Sequence, residues 1–191
     1  MSSPPAPSPV VAVAFVSRED EGGGPLYFKT FAGAPSAPSA LGANDEATRI
    51  MLAAYASIDI LEEKVHAQNA AAAAVAAGQA PAPPPEAPPL RDPFLGLLMP
   101  ADDYKLFGYQ TPTGVRIVVV VRDVLLREDR VRELFRALHR LYADAACSPF
   151  APAGYAHGAG GGARIASPAF EEAVTRLCES ADILYRGPIP L

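Results

Sequence analysis

Two patterns of hydrophobic residues follow one another along this chain, and they predict strands and helices in a definite order. Short apolar runs bounded by Gly, Pro and Asp are typical of strands, and apolar residues recurring every three or four positions are typical of amphipathic helices. The predicted strands are 10–17, 25–31, 93–99, 104–111 and 114–123, and the predicted helices begin near Asp45, Arg127 and Ser167. The order is therefore β-β-α-β-β-β-α-α.

The strongest predicted strand has a consequence for the fold class. Its unbroken valines, Val118–Val121, indicate burial on both faces of a sheet, so helices should cover both sides. At 191 residues the chain has the size of one domain. The pattern predicts a single α/β (α+β) sandwich over 10–186.

Proline, glycine and alanine are concentrated outside this predicted core. The 21 prolines and 15 glycines cluster, as they do in loops and tails. We interpret 1–9 and 187–191 as tails, 151–163 as a Gly-rich loop and about 67–91 as a flexible Ala/Pro-rich insertion. The alternative for the first part of this insertion is that its alanine run extends the first helix, until the prolines end it.

Charge and cysteine content narrow the function classes. A net charge of −5 gives no reason to expect nucleic-acid binding. Two cysteines make no disulfide framework or zinc cluster and suit a reducing cytosol. The longest uncharged stretch is alanine and proline, which insert poorly in a bilayer, so we expect no transmembrane helix and only indirect membrane contact.

The adjacent Asp102 and Asp103 are the first candidate for a catalytic or metal-binding pair. They follow Pro100 and Ala101 between two predicted strands, where turn residues are expected. Neighbouring residues of an extended chain point to opposite sides, which is a poor arrangement for sharing one ion. We interpret the pair as the corner of a hairpin.

No other motif predicts a catalytic, cofactor or metal site. "GAGGGA" at 158–163 fits a loose dinucleotide pattern but has no strand directly before it and no helix opening inside it. No histidine or cysteine has a partner at a spacing that suggests a triad; these residues are His66, His139, His157, Cys147 and Cys178. We expect His139 to lie at a helix edge and the cysteines to be small packing residues.

Two helices carry charges beside their apolar stripes. These surfaces are ordinary solvated helix faces or two docking surfaces of opposite sign. The residues of the first helix are Tyr55, Asp59, Glu62 and Glu63, and those of the second are Arg132, Arg136 and Arg140 at four-residue spacing. Ile58 and Leu61 should face the sheet, so the flank that carries Asp59 should be exposed and acidic.

Several motifs resemble one known family in the order in which the family has them. They are "FLGLLMPADDYKLFGYQT", "ASIDILEEKV", "GVRIVVVV", "VRELFRALHRLYADAACSPF" and "RIASPAF". They are similar to the sedlin-like branch of the sedlin/longin-type family, whose members are subunits of the TRAPP vesicle-tethering complex. The resemblance covers about 10–184, and it departs from the family in longer loops and tails.

The resemblance implies a longin-type fold, with a five-stranded mixed sheet, the first helix on one face and the other two on the opposite face. It implies no active site and no cofactor. It implies an adaptor in endoplasmic reticulum-to-Golgi and intra-Golgi transport, cytoplasmic and peripheral at those membranes. The partners implied are other TRAPP subunits, both small longin-type and Bet3-like, with Rab GTPases reached only through the complex. Asp59 matches the family pattern and is the first candidate for contact with a neighbouring subunit.

Two other function classes stay open. One is another longin-type trafficking module, either a SNARE regulatory domain or a small adaptin-like chain. A SNARE would need a heptad segment after the domain, and we expect none because the chain ends at Leu191. The other is a small enzyme on a similar sandwich, which the lack of a convergent nucleophile, base or metal cluster disfavours.

Overall fold

The computed structural model describes residues 9–17, 25–31, 43–81, 84, 89–101, 103–122, 126–148, 165 and 167–179, with the side chains of 43–45 excepted. They form five strands and three helices in the order that the hydrophobic pattern predicts. The elements are β1 Val10–Val16, β2 Pro25–Thr30, α1 Ala43–Ala76, β3 Phe94–Ala101, β4 Tyr104–Gln110, β5 Arg116–Arg122, α2 Glu128–Ala146 and α3 Pro168–Glu179.

The five strands form one sheet in the order β2-β1-β5-β4-β3. Every neighbouring pair is antiparallel, which corrects the expected mixed sheet. The alternating directions imply that β2 and β3 run the same way, but these two strands lie at opposite edges with three strands between them. The crossover through α1 therefore creates no parallel pair.

Two separate hydrophobic cores lie on the two faces of this sheet. Alternate residues of β5 enter opposite cores, Ile117 and Val119 on one side, Val118 and Val120 on the other. The first core contains side chains of α2 and α3, and the second contains side chains of α1. The prediction of one helix on one face and two on the other is confirmed, and so is the burial of β5 on both faces.

The first helix is longer than the flexible-insertion interpretation allows. It continues to Ala76, ten residues into the segment 67–91, because alanine has the highest helix propensity. Val65 is the last residue of α1 that packs on the second core, which lies between α1 and the sheet. Residues 66–76 therefore form a helical extension beyond that core, and flexibility of the rest of the segment stays a prediction.

Candidate functional site

The two charged surfaces predicted on helices lie on opposite faces of the sheet. The acidic residues belong to α1 and the arginines to α2, and these helices pack in different cores. The sheet separates the two groups, so they do not form one site. Any partner that contacts both must reach around the domain, or two partners must bind.

On α1, a mixed acidic and apolar surface faces away from the sheet. Asp59 and Glu63 are exposed and Tyr55 is half-buried. Leu52 is 61% exposed, the most exposed large hydrophobic residue that the structure describes. We call Leu52, Tyr55, Asp59 and Glu63 the α1 outer surface.

Sequence reasoning missed Leu52, although the sequence carried a signal for it. Leu52 lies two positions after the buried Ile50, which on a helix is a rotation of about 200°. A leucine so far from the apolar stripe cannot reach the sheet. Exposed leucines are common singly, but one beside a tyrosine and two carboxylates gives the surface an apolar contact point.

Glu62 occupies a different position from its acidic neighbours. Its carboxylate Oε1 lies 2.8 Å from the Arg116 guanidinium, and the two side chains are 28% and 8% exposed. Arg116 is the first residue of β5, so the pair ties α1 to the sheet. The structure gives Glu62 an internal role that its spacing in the sequence does not reveal.

Arg132 likewise occupies a different position from the other two arginines of its stripe. It forms an ion pair with Asp92, and its guanidinium carbon lies 4.6 Å from the centre of the Phe94 ring. The other carboxylate oxygen of Asp92 accepts a hydrogen bond from the Phe94 N–H at 3.0 Å. This cluster ties α2 to the start of β3, and its arginine packs within the chain.

Arg136 and Arg140 remain as the exposed part of the arginine stripe. Neither forms an ion pair with another residue in the described part of the chain. The outward basic surface of α2 is therefore two arginines one helical turn apart, smaller than the three-residue stripe that the spacing predicts.

His139 has a partner that sequence reasoning did not find. Its Nδ1 lies 3.0 Å from the Tyr109 hydroxyl, and the two rings are 5.5 Å apart. Burial lowers the pKa of His139 and raises that of Tyr109. The pair links α2 to β4. His66 is exposed on α1, and His157 lies outside the described residues.

Asp103 lies exposed in the turn between β3 and β4. Ala101 pairs with Tyr104 across this turn, so the hairpin interpretation is confirmed, although Asp102 itself lies outside the described residues. Within the described ranges, no three His, Cys, Asp or Glu side chains are grouped as a metal site would need. The motif at 158–163 also lies outside the described residues.

The two cysteines differ in environment. Cys147 is exposed at the end of α2, and Cys178 is buried in the core beneath α3. Burial raises the pKa of the Cys178 thiol to about 12, so the reactive thiolate is scarce at neutral pH. The expectation that both cysteines are small packing residues is confirmed for Cys178 and wrong for Cys147, which lies exposed just beyond the last residue of α2.

Comparison with known proteins shows the family to which the chain belongs. A family model described as Sedlin matches residues 16–180. The chain belongs to the sedlin family. Relatives named trafficking protein particle complex subunit 2-like protein, from Rattus norvegicus and Mus musculus, are each 30% identical over 169 residues, covering 87% of this chain and 95% of theirs. A relative of the same name from Dictyostelium discoideum is 25% identical over 142 residues, covering 74% of this chain and 81% of its own.

The sedlin-family match and the fold agree with the resemblance of the quoted motifs, which is thereby confirmed. The match includes all three helices and begins at the last residue of β1. None of the helices that the structure describes combines the length and the apolar character needed to cross a membrane.

Proposed function

We propose that this chain is a non-catalytic adaptor subunit of a TRAPP-type vesicle-tethering complex. The observation that carries the proposal is the similarity, over 87% of this chain and 95% of the relatives, to proteins named as a subunit of a trafficking particle. Similarity over nearly the full length of both chains makes a shared role more plausible than similarity over a fragment would.

In this proposal the chain acts in endoplasmic reticulum-to-Golgi and intra-Golgi transport, in the cytoplasm and peripherally at those membranes. It supports Rab nucleotide exchange by the assembled complex and has no exchange activity of its own. Its direct partners are other subunits, small longin-type or Bet3-like. The exposed carboxylates of α1 and the exposed arginines of α2 offer binding of charged partner groups as their chemistry.

The α1 outer surface is the proposed contact with a neighbouring subunit. Asp59 and Glu63 are exposed carboxylates, so they suit a partner that offers basic or hydrogen-bond-donating groups. Asp59 lies about 10 Å along the helix from Leu52, a spacing that lets one partner segment cover both. A second, acidic partner group is proposed for Arg136 and Arg140 on the opposite face.

Glu62 and Arg132 are not part of the proposed contact surfaces. Each is already paired inside the chain, Glu62 with Arg116 and Arg132 with Asp92. Removing either side chain would disturb the fold as well as any interface. Tests of the interface therefore belong on Asp59, whose side chain is exposed.

The proposal is tested by co-purification of the Asp59→Tyr variant with complex partners from cells, with mass spectrometry to identify the subunits. A buried interfacial charge that loses its partner costs about 2 kcal/mol or more, which weakens affinity about 30-fold. We expect reduced recovery of partners while the melting temperature of the isolated chain stays unchanged.

Glu172→Tyr is the matched control. Glu172 is a helical acid paired with Arg176 at 2.6 Å, with both side chains more than 70% exposed, and it belongs to neither proposed surface. Normal recovery of partners by Asp59→Tyr, or loss of partners only because the variant unfolds, would refute the interface. Absence of trafficking-complex subunits from wild-type purifications would refute the function itself.

A further inference from the structure

The negative charges on the outer side of α1 are not balanced within the described part of the chain. Asp59 and Glu63 are exposed carboxylates one helical turn apart, and neither forms an ion pair with another described residue. Like charges four residues apart on a helix repel each other and lower its stability slightly. Glu172 of α3 differs, since it pairs with Arg176. The α1 outer surface therefore carries a pair of repelling negative charges.

The helix α2 has the same arrangement with the opposite sign. Arg136 and Arg140 are exposed, lie one turn apart and lack an ion-pair partner among the described residues. Arg130 of the same helix pairs with Glu133. Two like-charged pairs, each spaced by about 6 Å along a helix axis, thus lie on opposite faces of the sheet, one negative and one positive.

The exposed charges without an ion pair also follow complementary orders along the two helices. Among the described side chains, those of α1 are Arg49, Asp59 and Glu63, and those of α2 are Arg136, Arg140 and Asp144. From its C-terminal end, α1 therefore presents two negative charges and then a positive one. From its N-terminal end, α2 presents two positive charges and then a negative one. In an antiparallel arrangement the like-charged pairs match in spacing, and the third charges, at different spacings, also have opposite signs.

Each of these surfaces also includes an exposed leucine. Leu52 of α1 and Leu97 of β3, which is 40% exposed, are the large hydrophobic residues exposed in the described part of the chain. Leu97 pairs with Phe107 of β4, and directly opposed residues of an antiparallel pair point to the same face. Phe107 packs against the first core, on the α2 side. Leu97 therefore lies on the face of the sheet that carries Arg136 and Arg140, and we call these three residues the α2 outer surface.

We propose that the α1 outer surface binds the α2 outer surface of a second copy of this chain, with the two helices antiparallel. The occupant follows from charge complementarity, since each surface supplies the charges that the other lacks. The contact is heterologous, because the two surfaces differ and lie on opposite faces, so each bound copy leaves one surface for the next. Exposed ion pairs are weak and screened by salt, so the association is weak and salt-dependent.

This inference goes beyond the proposed function and does not rest on it, because it concerns the isolated chain. The test is sedimentation velocity of the purified full chain over a range of concentrations. At low salt, the mean mass of the wild type should rise with concentration. It should fall toward that of the monomer in 1 M NaCl, where the Debye length is about 3 Å.

Two double variants remove one charged pair each, Asp59→Asn/Glu63→Gln and Arg136→Gln/Arg140→Gln. Either variant should raise the dissociation constant about tenfold, equivalent to about 1.4 kcal/mol, which is within the range of two exposed ion pairs. Glu172→Gln/Arg176→Gln is the matched control, because it removes an exposed ion pair outside both surfaces. It should associate as the wild type does.

Mixing the two double variants tests the head-to-tail geometry. At concentrations at which neither associates alone, an equal mixture should form a dimer and nothing larger. One variant then supplies the acidic surface, the other supplies the basic surface, and the two remaining surfaces are neutralised. A mixture that stays monomeric, or that grows beyond a dimer, would overturn the proposal.

Reversing all four charges provides a rescue. The variant Asp59→Lys/Glu63→Lys/Arg136→Glu/Arg140→Glu exchanges the signs of the two surfaces while the net charge stays −5. It should associate as the wild type does, whereas reversal of either pair alone should keep the chain monomeric. Loss of association in the fourfold variant would contradict the charge complementarity.

Circular dichroism checks that the variants fold, as expected for substitutions at exposed positions. If a double variant does not fold, the single variants Asp59→Asn and Arg136→Gln replace it, and each should weaken association in the same direction. A wild type that stays monomeric at low salt at every concentration would refute the inference. That result would leave the recovery of trafficking-complex subunits, which tests the proposed function, unaffected.

Discussion

Replacing Glu62 with alanine removes the carboxylate that lies 2.8 Å from the Arg116 guanidinium. Breaking a buried ion pair by deleting one partner typically costs about 3–5 kcal/mol, because the remaining charge stays buried. Arg116 is 6% exposed as a residue, but the Glu62 side chain is 28% exposed, so water reaches part of the site. We therefore expect about 2–3 kcal/mol, and each kcal/mol lowers the melting temperature by about 2–4 °C in a domain of this size.

The assay is urea and thermal unfolding of the isolated chain followed by circular dichroism, with two matched variants. Glu63→Ala removes the neighbouring carboxylate, which is exposed, and surface substitutions of this kind stay within about 0.5 kcal/mol. The double variant Glu62→Leu/Arg116→Met replaces the pair by apolar side chains, and such exchanges are often neutral or stabilising. It should recover most of the loss.

Two outcomes would refute the reasoning. If Glu62→Ala unfolds at the same urea concentration as Glu63→Ala, the ion pair contributes nothing measurable. If the double variant is as unstable as the single one, the loss came from packing of the Glu62 side chain and not from breaking its ion pair with Arg116. Only the first result would return Glu62 to the set of residues free to contact a partner.

Two further predictions concern pH and the Ala/Pro-rich segment. Burial lowers the pKa of His139 in the folded chain. As pH falls below about 6.5, the unfolded chain therefore takes up a proton on this histidine more readily than the folded chain does. The free energy of unfolding decreases with falling pH until the pH reaches the lower pKa of the folded chain. The fall in melting temperature between pH 7 and pH 5 should therefore be smaller in His139→Gln than in the wild type; equal slopes in the two proteins would contradict this. Deleting 70–89 and joining the ends with a short Gly/Ser linker should change the melting temperature little, because Val65 is the last α1 residue packed on the core. A fall of more than about 10 °C, a few kcal/mol for this size, would show that the segment packs on the domain.

Local chemistry made the elements of this fold predictable from the sequence. The valine run of β5 indicated a strand buried on both faces, and it lies between two cores. A helix was predicted to begin near Ser167, and the Ser167 Oγ caps α3 by accepting a hydrogen bond from the Phe170 N–H at 3.3 Å, with Pro168 as the first helical residue. These features depend on residues a few positions apart, so they can be recognised without knowing the rest of the structure.

The candidate site was less predictable, because charge spacing on a helix shows which residues share a face but not what opposes them. Glu62 and Glu63 are adjacent in the sequence, yet Glu62 faces Arg116 of β5 and Glu63 is exposed. Arg132 pairs with Glu128 one turn away on its own helix, but also with Asp92, forty positions away. Contacts between residues so far apart in the sequence are decided by how α1 and α2 pack on the sheet.

By itself the sequence determined the number, type and order of the elements, the two-sided burial of the sheet and the family to which the chain belongs. Tertiary structure decided the antiparallel arrangement of the strands and the shift of register that places the adjacent Val11 and Ala12 in the same core. The physical reason is the separation along the chain over which each kind of interaction acts. Propensity and periodicity act over one or two turns of chain, whereas strand register and ion pairs arise from groups that come together only when the helices pack on the sheet.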